Sequence, residues 1–161
     1  MKQTVRVMTF LAAVVLPAFG DFDAGKRAWD KKNYAAAFRE WKPLAEAGDA
    51  RAQFYLGVLY NHGRGVKKNF EEAVKWYRLA AMQGHAKAQC NLGTMHGSGL
   101  GVVKDPVQAQ MWFHLAAESK DEEAIKNCSD NLAKNAPNLT LEQQAQAREM
   151  ARKWKPAKTV R

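Results

Sequence analysis

The chain reads as an all-α protein, a solenoid of about four antiparallel helix pairs, and three observations predict this. A segment is written twice: residues 48–83 laid over residues 84–119 without a gap share 15 of 36 positions, and self-similarity at such a period marks a stacked-repeat architecture. The shared residues are mostly small or apolar, and the apolar stripes stand at helical spacing. Ala52, Leu56 and Tyr60 are four apart, as are Trp76 and Ala80, with Ala73 three before Trp76, so each half-unit presents one stripe for burial. Helix-start signals precede the second stripes: Asn69 with Glu72 three later has the capping-box pattern, and Asp105 before Pro106 is an N-cap with proline at the first helical position.

Residues 1–20 stand apart from this frame. Lys2 and Arg6 precede an apolar run from Val7 to Leu16, then Pro17, then small residues at Ala18 and Gly20, which is the pattern of a cleaved secretory signal with its cut after Gly20. The ten-residue run is only about half of the roughly 20 residues that span a bilayer. The chain is therefore expected to be periplasmic or secreted, without stable membrane insertion after cleavage; the alternative is an uncleaved helix that holds it at the membrane. Loss of Lys2 and Arg6 takes the formal net charge from +9 to +7. An exported chain with its cations spread out is not expected to bind nucleic acid. Its charge suits solubility and acidic protein, glycan or lipid surfaces. Arg148, Arg152, Lys153, Lys155, Lys158 and Arg161 form the one basic concentration, read as a solvated tail.

The elements follow in order over a repeat domain at 21–156. Residues 21–47 form a degenerate helix pair, with Ala24, Ala28 and Trp29 on one face, a turn at Lys32-Asn33, and Ala37, Trp41, Leu44 and Ala45 on the other. The units 48–83 and 84–119 each hold two helices. Gly57, Ala73 and Ala80 allow close approach, while Trp76 and Leu56 supply apolar volume between the pair. Gly63-x-Gly65 and Gly99-x-Gly101 join helix to helix rather than strand to helix, which excludes a phosphate loop and predicts turns at positive φ. Residues 120–156 form C-terminal capping helices: Ala124 falls 36 after Ala88, Pro137 stops one helix, and Thr140 with Gln143 opens the last, carrying Ala147, Met150, Ala151 and Trp154. A basic tail, 157–161, follows.

With its Ala-rich first helix, Leu-Gly and Tyr, G-x-G-V loop, and Ala, Trp and Ala-Ala on the second helix, "AQFYLGVLYNHGRGVKKNFEEAVKWYRLAAMQG" resembles a Sel1-like repeat, a relative of the tetratricopeptide repeat. Residues 84–119 resemble it as well, with His96 where a tyrosine usually stands. "NYAAAFREWKPLAEAGDARAQ" and "LTLEQQAQAREMARKWKP" resemble the end units of small exported bacterial members. The resemblance implies a right-handed helical solenoid that binds other proteins as an adaptor in the cell envelope, with no reaction and no cofactor. If the units stack as tetratricopeptide repeats do, first helices line the concave face. Arg51, Phe54, Val58, Asn61 and His62 then turn toward the groove, followed by Lys87, Cys90, Thr94, Gly97 and Ser98. Arg51 and Lys87 would make a short basic ladder for an acidic segment of a partner protein, and Phe54 an apolar anchor. The alternative is a core Phe54 beside two solvated cations.

Two cysteines in an exported chain suggest a disulfide. By the repeat frame Cys90 corresponds to Phe54 and Cys128 to Leu56 and Leu92, on first helices of neighbouring units. Their two-residue offset turns a side chain by about 200°, against a bridging limit of about 7 Å between Cα atoms, so a bond and two buried thiols both stand open. Cysteine-rich members of the family bridge the two helices within a repeat, from which this sequence departs.

Chemistry finds little footing. Ser129-Asp130-Asn131 spells the S-D-N of serine β-lactamases, but no serine has a lysine three later, and Lys158-Thr159 is followed by Val160 rather than glycine. A β-lactamase-like or penicillin-binding hydrolase therefore rests on family naming alone, and the chain is expected not to be an enzyme. A purely architectural envelope subunit is the other alternative. His62, His85, His96 and His114 lack metal-ligand spacing. Asn138-Leu139-Thr140 is formally a glycosylation sequon, better explained by Thr140 as a helix cap.

Overall fold

The computed structural model describes residues 20–157. The expected signal segment before Gly20, Lys158, Arg161 and the Lys158-Thr159-Val160 triplet lie outside the described residues. Among the described residues there are eight α-helices and a short 3-10 turn: α1 (Phe22–Asp30), α2 (Tyr34–Glu46), α3 (Ala50–His62), α4 (Phe70–Met82), α5 (Ala86–Ser98), α6 (Pro106–Ala117), α7 (Glu122–Asn135), the turn Ala136–Asn138, and α8 (Leu141–Lys153). Each α-helix starts under a side-chain cap, from Asp21, Asn33, Asp49, Asn69, His85, Asp105, Asp121 and Thr140 in turn. Such caps satisfy N–H groups that have no partner inside the helix. The full capping box closes at Thr140 and Gln143. At Asn69 only the side-chain half forms, accepting from Glu72 N at 3.0 Å, because the Glu72 carboxylate turns to Lys75 at 3.6 Å.

From α1 to α7 each helix packs on the next, giving stacked antiparallel pairs consistent with a Sel1-like or tetratricopeptide-like solenoid. Two apolar clusters run through the stack. The first joins Ala37, Trp41 and Ala45 of α2 to Ala52, Leu56 and Leu59 of α3 and Trp76 of α4. The second joins Ala73, Val74 and Tyr77 of α4 to Leu92 and Met95 of α5, Trp112 of α6, and Ala147 and Ala151 of α8. Trp76 thus shares a cluster with Leu56 of its own pair, as expected, and that cluster extends to α2 of the preceding unit. Further volume inside each pair comes from a ring one residue later. A Cβ at Gly57 would stand 2.5 Å from the Tyr77 ring, and one at Gly93 would stand 2.6 Å from the Phe113 ring. Gly25 meets Trp41 in the same way. In each of the first three pairs one first-helix glycine is the hole into which a second-helix aromatic fits.

The loop glycines divide into two roles. Gly63 and Gly99, at φ 66° and 70°, end α3 and α5 in the left-handed conformation. Gly65 and Gly101 are also left-handed, but they press on the backbone of Tyr34-Ala35 and of Phe70-Glu71, where the second helix of the preceding unit begins. Each loop is thereby a contact between units as well as a turn.

Buried glutamines tie the same seams. Gln53 Nε2 donates to Ala45 O at 3.0 Å and Gln89 Nε2 to Ala81 O at 3.2 Å, satisfying a last-turn carbonyl of the helix before. Gln83 Nε2 donates to Gln53 Oε1 at 2.8 Å, and Asn135 Nδ2 closes the next junction on Gln110 Oε1 at 2.9 Å.

The last helix departs from the regular pattern. Pro137 ends α7 as expected, and the 3-10 turn it opens sends α8 onto α6 rather than along α7. Trp154 sits edge-on to Trp112, with centroids 6.3 Å apart, and Ala157 N donates to Met82 O at 2.7 Å. Ala147 and Ala151 are its buried stripe, and its outward face is polar, as the end of a stacked array requires.

Candidate protein-binding face

Shallow clefts lie along the layer of first helices. One is bounded by Phe22 of α1, Arg51, Phe54 and Tyr55 of α3, His85 and Lys87 at the start of α5, and Asp121. Phe54 and Lys87 also border a second, completed by Cys90 and Asn91 with Glu123, Ala124 and Asn127 of α7. A third runs between Thr94, Gly97 and Ser98 of α5 and Asn131, Lys134 and Asn135 of α7. Their volumes, about 210, 150 and 170 Å³, fall below the roughly 300–1,000 Å³ of a small-molecule site. They are sized for side chains or a chain segment.

Most of the expected groove residues meet here. Arg51, Phe54, Lys87, Cys90, Thr94, Gly97 and Ser98 line the clefts. Val58, Asn61 and His62 do not: Val58 is half-buried against the second cluster, and Asn61 and His62 pair with each other at 3.5 Å near the end of α3. Phe54 is neither free nor core. It is half-buried, with its ring stacked on His85 at 4.8 Å and edge-on to Tyr55 at 5.2 Å.

The two cations are compensated. Arg51 Nη2 lies 3.0 Å from Asp49 Oδ2, and its guanidinium sits 4.2 Å over the Phe22 ring. The Asp49 hydrogen bond raises the Arg51 pKa. Burial pushes the Asp49 carboxyl up, but hydrogen bonds from Arg51 and the Ala52 N–H outweigh it and leave the pKa lowered. Lys87 pairs with Glu123, one repeat further on, and that hydrogen bond raises its pKa. What repetition suggested as a basic ladder is thus a row of ion pairs over an aromatic floor, because the neighbouring positions at each step are acidic.

Sequence reasoning missed His85. Its Nδ1 accepts from Ala88 N at 3.3 Å, capping α5, and burial lowers its pKa. The signal was present in the repeat register: Asp49, His85 and Asp121 stand at 36-residue intervals, and the outer two are caps.

Cys90 and Cys128 are bonded, with Cα atoms 5.6 Å apart. The two-residue offset serves this. Helices lying side by side meet through opposite faces, so a rotation of about 200° turns Cys128 back toward α5 while Cys90 points at α7. Ser129 is exposed on α7, and its Oγ donates to Ile125 O at 2.7 Å, so Ser129-Asp130-Asn131 is a stretch of helix surface. Among the described residues no group of three or more His, Cys, Asp or Glu side chains is placed to hold a metal, and no helix is long and apolar enough to cross a membrane.

Residues 50–85 and 86–121 each match the Sel1 repeat. A Sel1 repeat protein from Oxalobacter formigenes is 36% identical over 68% of this chain and 85% of its own length, with a TM-score of 0.59. A protective antigen present in uropathogenic Escherichia coli strains, displaying an SLR fold, is 31% identical over 82% of this chain, with a TM-score of 0.76; the chain spans 28% of that antigen. Helicobacter pylori cysteine rich protein B, 23% identical over 63% of this chain and 92% of its own, shares the fold at a TM-score of 0.53. No curated protein matches in sequence.

Proposed function

Because the chain belongs to the Sel1 repeat family, a non-catalytic repeat fold of the protein-interaction scaffold type, we propose that it is an adaptor of the bacterial cell envelope that holds a partner protein along its concave, first-helix face. The observation that carries this reading is Phe54, half-buried and shared by two neighbouring clefts. Aromatic anchors in partly enclosed pockets supply most interface energy, whereas exposed ion pairs supply little. An acidic segment of the partner would exchange with Asp49 and Glu123 for Arg51 and Lys87, so charge sets its register and Phe54 its affinity. The signal-like segment at 1–20 supports export, and the likeness to a protective antigen present in uropathogenic Escherichia coli strains is compatible with it.

The test is site-specific photocrosslinking in the native envelope, with the probe at Phe54 or Thr94 on one face and at Leu79 or Met82 on the other. A discrete adduct from the first pair alone is expected. Equal capture from both faces, or capture from Leu79 and Met82 only, overturns the assignment. Export is tested separately, by finding Asp21 at the N-terminus of the mature chain.

A further inference from the structure

The connections between the helices of each pair gather on one edge of the stack, and that edge is cationic. Lys31 and Lys32 form the turn between α1 and α2; Arg64, Lys67 and Lys68 lie between α3 and α4; Lys104 lies between α5 and α6. The connections touch in sequence. Gly65 abuts Tyr34-Ala35, Gly101 abuts Phe70-Glu71, and Asn135 Nδ2 at the end of α7 donates to Pro106 O at 2.8 Å.

None of these six cations takes part in an ion pair among the described residues. Aromatic rings position two of them instead. The Arg64 guanidinium lies 5.6 Å from the Trp29 centroid and 5.4 Å from that of Tyr34, and Lys68 Nζ lies 4.6 Å from that of Phe70. A ring holds a cation in place without neutralising it. Of the nearby carboxylates, Asp30 pairs with Lys26, Glu72 pairs with Lys75 and Asp105 caps α6, while Glu142, beside Leu141, is exposed. Glu71 is exposed at the start of α4.

The same edge carries apolar side chains at its tips. Val103 is 85% exposed, Leu141 81% and Leu100 36%. The opposite edge is of mixed charge, built among the described residues from Glu46, Asp49, Glu118 and Asp121 with Lys120 and Lys155, and its exposed apolar side chain is Met82, at 44%.

We propose that the loop edge docks peripherally on an anionic phospholipid surface, its cations against the headgroups and Val103, Leu100 and Leu141 in the interface. Uncompensated Lys and Arg are drawn to anionic lipid, and apolar tips among them fit a boundary between headgroup and acyl chain, which a soluble polyanion does not offer. Docked so, the helices stand on the membrane and the first-helix face opens sideways. The proposal stands whether or not that face binds a protein.

The test is co-sedimentation of the purified chain, as the cell processes it, with phosphatidylcholine vesicles with and without phosphatidylglycerol. Binding is expected only with phosphatidylglycerol. It falls at least about tenfold in Lys67→Glu/Lys68→Glu/Lys104→Glu, and it becomes more sensitive to salt in Leu100→Ser/Val103→Ser. Lys120→Glu/Lys155→Glu, on the other edge, binds as the parent does. Circular dichroism confirms that each variant is folded. Binding that ignores phosphatidylglycerol, or that is lost with Lys120 and Lys155 rather than with the loop cations, overturns the proposal. So does retention on heparin as strong as on vesicles with no effect of the Leu100 and Val103 changes, which makes the edge a general polyanion surface.

Discussion

Replacing Gly99 and Gly101 by alanine, one at a time, separates the two jobs of the connecting loop. Both residues are left-handed, at φ 70° and 66°, and an L side chain in that region costs about 1–2 kcal/mol. The smaller unfolded-state entropy of alanine adds roughly 0.4–1 kcal/mol in the other direction. At Gly99 that is nearly the whole account, because a methyl's tightest contact would be the Lys104 Cβ at 3.1 Å, with the Lys104 backbone at an ordinary 3.6 Å. At Gly101 a methyl would stand 2.7 Å from Glu71 N and closer still to the Phe70 backbone. That backbone opens α4 under the Asn69 cap and cannot swing aside. Overpacking against it adds about 1–3 kcal/mol. Gly99→Ala is therefore expected to lose about 1 kcal/mol and Gly101→Ala about 2–4 kcal/mol, summed from the same terms. Urea unfolding followed by circular dichroism measures both. Equal losses would refute the idea that the second glycine is a seam between units and leave it only a turn.

Removing the cross-link as Cys90→Ala/Cys128→Ala, or unfolding under dithiothreitol, should lower stability by about 2–4 kcal/mol: the bond closes a 38-residue separation, and loop entropy scales with its logarithm; unchanged thermal midpoints with and without reductant would contradict it. Gln89→Ala removes the 3.2 Å donor to the Ala81 carbonyl, which still accepts from Gly84 N at 2.9 Å, and should cost about 0.5–1.5 kcal/mol, with faster amide exchange at the start of α5. All four histidines have lowered pKa values with burial as the first cause. Below about pH 6.5 the unfolded chain then binds more protons than the native one, so stability should fall as pH drops from there and level off once the native rings titrate. His85→Asp, which restores the cap type of Asp49 and Asp121, should shrink that fall; an equal pH slope in parent and variant would show that His85 contributes nothing to it.

The stack was legible in the sequence because its causes are local and repeated: cap residues, the Ala and Leu stripes, and loop glycines all recur at 36 residues. The pairing of Gly57 with Tyr77 was not, since the ring position is Trp41, Tyr77 and Phe113 in successive pairs and identity counting sees three different letters. The letter that does repeat, Trp76 and Trp112, marks instead a position whose cluster spans its own unit and the preceding one. For the candidate face, register picked out Arg51, Phe54 and Lys87, but a residue's neighbour on the next helix decides whether its charge is free. Asp49 and Glu123 are those neighbours. Val58 and Asn61 share the stripe of Phe54, at four and seven residues on, but with His62 they lie about one to two turns further along α3, beyond the clefts.

The bond between α5 and α7 also makes the array mechanically uneven. Curvature of a helical stack changes by small rotations at each junction, and the sulfur bridge fixes the α5–α7 spacing on the first-helix side. Bending under load, or on closing around a guest, must therefore concentrate between α1 and α5, where glutamine latches and aromatic contacts yield reversibly. One end of the molecule acts as a rigid jaw and the other as the spring.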